Sequence, residues 1–319
     1  MLSRIADTLY WMSRYLERVD NTARLVEINL LHLIEADDHQ PPASHWQPLL
    51  SISGAEAAYA TLYPDGDVTA ARVIAFMTRE PTNPNAIRTS LRYARDNARI
   101  VRDRISKEMW ECLNELWLRA EPRLATREAQ EGMAAFCRFV RSEVARFHGV
   151  TVNTMMRGEG FGFYQLGTFI ERADMTARIL DVKYHLLLPE LPMVGSALDY
   201  YQWAALLKSL SGFEAYRRID QTGFRPAAVA EFVIRSGEFP RSLKFSVDRI
   251  AQALDSIGPP AKGSTTAEAM AALFAAVGVP AETIFDRGLH EFLEDFVTRT
   301  GALHVALREE LLEASVGGR

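Results

Sequence analysis

Tyr15–Glu27 reads YLERVDNTARLVE, and Phe169–Asp181 reads FIERADMTARILD. The phrase Glu-Arg-x-Asp-x-Thr-Ala-Arg therefore occurs twice, with Glu17 and Glu171 standing 154 positions apart. Around the first copy, Leu9, Met12, Leu16, Val19, Ala23, Val26, Leu30 and Leu33 recur at alternating steps of three and four. Phe163, Leu166, Ile170, Ala173, Ala177, Leu180, Tyr184 and Leu187 do the same around the second. Each series is the apolar seam of a long helix that packs on other helices. Only two of these eight seam pairs are identical, whereas Tyr10, Glu17, Arg18, Asp20, Thr22 and Arg24 return unchanged as Tyr164, Glu171, Arg172, Asp174, Thr176 and Arg178. A merely solvated face would have drifted at least as freely as the seam, which tolerates exchange at constant volume.

Helix geometry places Tyr10, Glu17, Asp20 and Arg24 on one face beside the seam, with Arg18 and Thr22 on another. The second copy places Glu171, Asp174 and Arg178 in the same way. The leading expectation is a buried, hydrogen-bonded ion-pair network, because a carboxylate taken out of water costs several kcal/mol unless it is paired. Crossed antiparallel, the two helices would offer Glu17 to Arg178 and Glu171 to Arg24. Two other readings stand beside this one. The first is a ligand or partner site. The second is an exposed salt-bridge face stabilising by only ~0.5 kcal/mol per pair.

The echo extends along the chain. Ser53-Gly54-x-Glu56-Ala57 returns as Ser211-Gly212-x-Glu214-Ala215, and Phe76, Arg79, Pro84 and Ser90 return as Phe232, Arg235, Pro240 and Ser246. Gly132, Phe136 and His148 return as Gly288, Phe292 and His304. The chain reads as two tandem related halves, 1–152 and 153–319, with a pseudo-two-fold relationship between them. Strand signals are nearly absent, so the expected class is an all-α helical bundle. Helices are expected at 3–36, 45–60, 67–79, 84–119 and 126–150, then at 161–188, 197–219, 225–236, 240–257, 264–277 and 281–314, separated by Pro- and Gly-rich breaks.

One helix stands out. In Ile87–Trp110, Arg88, Arg92, Arg95, Arg99 and Arg102 fall at spacings of four, three, four and three, a line of about 21 Å at 1.5 Å per residue. Asp96 and Asp103 can pair with Arg92 and Arg99 but cannot neutralise five arginines. The stripe is not repeated in the second half, where Lys244, Asp248, Ala251, Asp255 and Gly258 take its place. Because the planar guanidinium binds carboxylate or phosphate bidentately, the stripe and Trp110 are the candidate binding residues for an acidic peptide, a phosphate-bearing ligand or a protein partner. The alternatives are pairing with internal acids such as Glu17, Asp20 and Glu27, and a solvated face.

Composition narrows the field. With 36 basic and 41 acidic side chains the formal charge is −5, the wrong sign for a general nucleic-acid binder. The aromatic interleaving of single-strand binders is represented beside the stripe only by Tyr93 and Trp110, so no nucleic acid is expected as partner. The first residues lack a signal-peptide core, no apolar run is long enough to span a bilayer, and Cys112 and Cys137 form no CxxC pair or disulfide framework. A cytoplasmic protein is expected, with no membrane partner. His290 and Glu294 have a helical metal-ligand spacing but no second histidine nearby, so no metal and no cofactor is expected. His148 and His304 are expected to cap carbonyls or meet the helix dipole near helix ends. Arg157-Gly-Glu-Gly-Phe-Gly162 follows no strand and reads as a linker rather than a phosphate loop. There is no GxSxG, GxxxxGK[ST] or HExxH, and no catalytic constellation.

LYWMSRYLERVDNTARLVEINL (9–30), NPNAIRTSLRYARDNARIVRDRISKEMWECLN (83–114) and GFGFYQLGTFIERADMTARILDVKYHLLLP (160–189) together resemble the alpha-E family, a bacterial all-helical domain of unknown function named for its Glu-Arg motif. The resemblance covers essentially the whole chain. It carries over Glu17-Arg18 and Glu171-Arg172, with Arg95, Asn97, Arg99 and Trp110, while Asp96 stands where the family pattern has Glu. It implies a setting beside, or fused to, circularly permuted ATP-grasp ligase-like proteins and transglutaminase-like proteins, and hence a role in a peptide or amide-bond-forming system. The expected function is a non-enzymatic helical partner or scaffold for such an enzyme. The alternatives are an enzyme on peptides or amides with Glu17, Asp20 and the arginines lining a cleft, and a binder of small anions or acidic peptides.

Overall fold

The structure, a computed structural model, describes residues 2–35, 42–126, 130–187, 197–221 and 223–312. Among the described residues there are fifteen α-helices and no strand, so the all-α expectation holds. The helix ends expected at 36, 188 and 314 lie outside the described residues, as do the side chains of Leu33, Tyr184 and Leu187. Every other position of the two seams is buried. The chain forms two compact units, Thr8–Gly167 and Met1–Asp7 with Thr168–Arg319.

The first unit takes in α1 (Ser3–Glu35) from Thr8 onward, α2 (Pro42–Ser53), α3 (Glu56–Leu62), α4 (Ala70–Thr78), α5 (Ile87–Ile100), α6 (Lys107–Ala125), α7 (Gln130–Thr154) and the start of α8 (Glu159–Leu187). The helix expected at 84–119 is two helices. Val101 closes α5, its N–H bonding to the Asn97 carbonyl, and Ser106 opens α6 by accepting from the Met109 N–H at 3.1 Å. A serine that satisfies an orphan N–H is what lets a new helix start there. The helix expected at 45–60 is likewise broken, at Gly54, whose φ of +62° lies in the left-handed region that favours glycine. Within this unit α8 approaches α1 very closely. A Cβ added to Gly167 would lie 2.1 Å from Ser13 Oγ and 2.2 Å from the Tyr10 carbonyl oxygen.

The second unit continues α8 from Thr168 and adds α9 (Ala197–Ser209), α10 (Phe213–Ile219), α11 (Pro226–Arg235), α12 (Leu243–Ile257), α13 (Thr265–Gly278), α14 (Ala281–Arg287) and α15 (Leu289–Leu307), which ends in one wide turn at Arg308–Leu312. Two more expected helices are split. Ser211, at φ +54°, separates α9 from α10, and Gly288, at φ +102°, separates α14 from α15. The carboxylate of Glu291, one turn into α15, fills the space a Cβ at Gly288 would need. Glu310 accepts from the Thr265 and Thr266 N–H groups at 2.8 and 3.3 Å, which satisfies the first turn of α13 and holds its carboxyl below the ordinary range.

Candidate functional site

The glutamate and threonine of the repeated phrase are buried in both units, its Asp–Arg pair is buried in the first, and Asp174 and Arg178 in the second are half-exposed. Glu17 is fully shielded from solvent, and Asp20, Thr22, Arg24, Glu171 and Thr176 are buried with it. Among the groups that meet the acids of the first copy are one from its own helix and three from α7. Arg24 Nη2 lies 2.7 Å from Asp20 Oδ2, and Arg141 Nε lies 4.0 Å from Asp20 Oδ1. Arg141 also pairs with the buried Glu27, which Arg138 approaches at 3.6 Å. His148 Nε2 stands 3.8 Å from Glu17 Oε2, while its Nδ1 is hydrogen-bonded to the buried Tyr164 hydroxyl. The exposed salt-bridge alternative for the first copy is therefore replaced by a shielded one. In the second unit Arg178 holds Asp174 through two hydrogen bonds, at 2.8 and 3.2 Å, in the same i,i+4 geometry.

The arginine beside each glutamate turns outward and does something different. Arg18 stacks over Tyr15, 5.8 Å from the ring centroid, and donates to Asn85 Oδ1 at 3.0 Å. Arg172 stacks over Phe169 at 4.9 Å and donates to the Pro240 carbonyl at 3.4 Å. In each unit the arginine ties its helix to the turn that precedes the next amphipathic helix, Asn83–Asn85 before α5 and Pro240–Ser242 before α12. Thr176 Oγ1 adds a bond to the Arg241 carbonyl at 3.0 Å.

The five-arginine line resolves into two rows. Arg88, Arg95 and Arg102, seven apart, turn toward α6. Arg88 makes a bidentate pair with Glu121, at 2.9 and 2.5 Å, and Arg95 Nε donates to Asn114 Oδ1 at 2.8 Å. Seven residues forward on α5 answer seven residues back on α6, the register of an antiparallel helical hairpin. Arg95 lies 5.8 Å from the Trp110 ring centroid and 6.0 Å from that of Trp117, and Arg102 lies 5.4 Å from Trp110. The result is an interleaved ladder, Trp117–Arg95–Trp110–Arg102, in which each guanidinium is fixed by an aromatic face. Arg102 belongs to the turn after α5 rather than to the helix. The other row, Arg92 and Arg99, faces solvent. Arg92 stacks on Tyr93 at 5.1 Å, and Arg99 reaches only Asp96, at 3.5 Å, with its side chain 66% exposed. Tyr93 packs on Tyr15, and Tyr15 on Trp11, with centroids 5.3 and 5.4 Å apart.

Three expectations change. The stripe does not pair with Glu17, Asp20 or Glu27, because α7 supplies Arg138, Arg141 and His148 to those acids. Asp103 pairs with Arg104 at 3.1 Å instead of with Arg99. His148 lies inside α7, ahead of its last turn, and serves a side chain rather than capping carbonyls. Asn114, Trp117, Glu121, Arg138 and Arg141 were absent from the candidate residues. Their signal was the seven-residue interval that Asn114 and Glu121 share with Arg88 and Arg95, and it is readable only once the helix break before Ser106 is recognised.

His290 bonds an acid of another helix. Its Nδ1 lies 2.8 Å from Asp181 Oδ1, and that hydrogen bond, outweighing partial burial, raises its pKa above the ordinary value. A raised histidine pKa stabilises the fold fully below the unfolded value of about 6.5, and the contribution is lost as pH rises through the folded value. His290→Gln is therefore expected to cost a few tenths of a kcal/mol near pH 5.5, the pair being half-exposed and screened. The difference should fade by about pH 8, which urea unfolding at the two pH values will measure. Among the described residues no group of three or more His, Cys, Asp or Glu side chains is placed to hold a metal ion, and no helix is long and apolar enough to cross a membrane. Both cysteines are buried and unbridged, and burial pushes the Cys137 thiol far up. A cavity of about 260 Å³ lies in the second unit among α13, α14 and α15, floored by Val279, Ile284 and Phe292.

A protein of Mycobacterium bovis and one of Mycobacterium tuberculosis, each described only as uncharacterized, are 25% identical to this chain over 281 residues, which is 84% of the chain. The chain spans 31% of the length of these relatives. No solved structure matches it. The chain carries Glu-Arg pairs at 17–18 and 171–172, and a family model described as a predicted alpha-helical domain with a conserved ER motif matches residues 1–312, so the chain belongs to the Alpha-E family.

Proposed function

We propose that the chain is a non-catalytic helical partner that docks on another protein or domain through the arginine and aromatic surface of α1, α5 and α6. The partner in this reading is an ATP-grasp ligase-like or transglutaminase-like protein of a peptide or amide-bond-forming system, and the setting is the cytoplasm. One observation carries it: Arg92 and Arg99 face solvent with only Asp96 as an acidic neighbour, beside arginines locked on Trp110 and Trp117. Of the outward pair, Arg92 is held on Tyr93 before contact, and a guanidinium fixed in advance loses less freedom on binding. The mycobacterial relatives support it too, since there the matched region is joined to further chain in one polypeptide. Against the enzyme alternative stand the full burial of Glu17 and the pairing of the buried Asp20 with Arg24 and Arg141, which favour carboxylates that stabilise the fold over ones that exchange protons with a substrate. The parallel Asp20–Arg24 and Asp174–Arg178 pairs, with the parallel seats of Arg18 and Arg172, support an origin of the two halves by duplication.

Co-expression with the ATP-grasp ligase-like neighbour tests the docking. Wild type should co-purify with it, Arg92→Ala/Arg99→Ala should lose it, and a charge-matched control, Arg218→Ala/Arg287→Ala, should retain it. Equal recovery of all three would remove the α5 surface from the reading.

A further inference from the structure

The solvent face of α5 repeats after seven residues. Arg92-Tyr93 is followed by Arg99-Ile100, and all four side chains are exposed, Tyr93 by 37% and Ile100 by 52%. On a helix that interval is two turns, about 10.5 Å. A cation and an apolar group thus recur together at the interval on which one helix lies along another.

The same geometry argues against other anionic ligands. Single-stranded nucleic acid needs open ring faces on which bases stack. Here guanidiniums already lie over Tyr93, Trp110 and Trp117. A lone phosphate needs donors that converge, and two arginines about 10.5 Å apart along one helix do not. Two separate carboxylates on one scaffold do fit, provided that scaffold carries them two helical turns apart.

We infer that the outer face of α5 receives an amphipathic acidic helix of the partner, with Asp or Glu one heptad apart on Arg92 and Arg99 and apolar residues beside them over Tyr93 and Ile100. This rests on the docking reading and specifies the partner element. Asp96, half-buried between the two arginines, rejects a third acid midway, so the acidic pattern sets register as well as attraction. Arg95 and Arg102 contribute through position, holding the α5–α6 edge on their tryptophans.

The probe is a synthetic helical peptide of about three heptads, with Leu-Glu opening two successive heptads in an Ala, Gln and Lys background. Its register control has the second Leu-Glu moved by two residues, and oligothymidylate is the nucleic-acid control. Binding is read by fluorescence anisotropy on the full chain. The in-register peptide should bind, Arg92→Ala/Arg99→Ala should weaken it about tenfold or more, and the shifted peptide should lose as much. Both arginines are exposed, so the variant should melt as wild type does, and the comparison reads binding alone. Equal binding of the shifted peptide overturns the heptad match. Capture of oligothymidylate through the same arginines overturns the peptide in favour of nucleic acid. If no peptide binds while co-purification still depends on Arg92 and Arg99, the helical partner element is wrong and the docking surface stands. If that dependence is also missing, both fall.

Discussion

Gly167→Ala is expected to destabilise the chain by about 3 kcal/mol or more, at the upper end of overpacking effects. The added methyl has no room. It would sit 2.1 Å from Ser13 Oγ, and that hydroxyl is itself held by the Tyr10 carbonyl at 2.8 Å. It would also sit 2.2 Å from the Tyr10 carbonyl oxygen, a backbone atom inside a buried stretch of α1 that cannot step aside without moving the helix. Gly167→Ala in a Ser13→Ala background should recover only part of the loss, because the backbone clash remains. Urea unfolding of the four proteins measures this. A loss below about 0.5 kcal/mol for the single variant would mean that α1 and α8 are not in backbone contact at Gly167.

Arg141→Ala is expected to cost about 3 kcal/mol, the loss typical of breaking a buried ion pair by removing one partner. The Glu27 side chain is 4% exposed and accepts from Arg141, leaving only the longer contact with the half-exposed Arg138 when Arg141 is removed. Asp20 loses its 4.0 Å contact with Arg141 at the same time. The penalty should come mainly from the stranded carboxylate. Glu27→Gln in the Arg141→Ala background should therefore recover part of the stability, while Arg141→Lys should fall between, since an ammonium cannot reproduce the guanidinium's planar reach to two acids. Equal stability of Arg141→Ala with and without Glu27→Gln would show that lost packing, rather than stranded charge, sets the cost.

Much of this was legible in the sequence, and for physical reasons. The three-four seams of α1 and α8 are long enough to specify helices without help from context, and all of their described positions are buried. Burial of Glu17 and Glu171 followed from one contrast, drifting apolar positions beside unchanged charged ones. The partners from α7 did not follow. Arg138, Arg141 and His148 lie more than a hundred residues from Glu17, and nothing local says that α7 packs there. The splits at Gly54, Ser211 and Gly288 were hidden because the helical pattern continues on both sides of a single left-handed residue. The break after Ile100 had a local signal, Ser106 as an N-cap. Missing it made one line out of two arginine rows. Once α5 and α6 are a hairpin, Arg88 and Arg95 find Glu121 and Asn114, and only Arg92 and Arg99 remain for a partner.

The glutamates of the repeated phrase are shielded inside the fold, while Arg92 and Arg99 of α5 face solvent. A double-mutant cycle on Glu17→Gln and His148→Gln, read by urea unfolding, tests the first half of that division most directly. The pair stands 3.8 Å apart with Glu17 fully shielded. Glu17→Gln alone should cost ~1–3 kcal/mol, and the two substitutions should couple by about 1 kcal/mol. Additive losses, or a Glu17→Gln protein as stable as wild type, would contradict a paired carboxylate at the centre of the first unit.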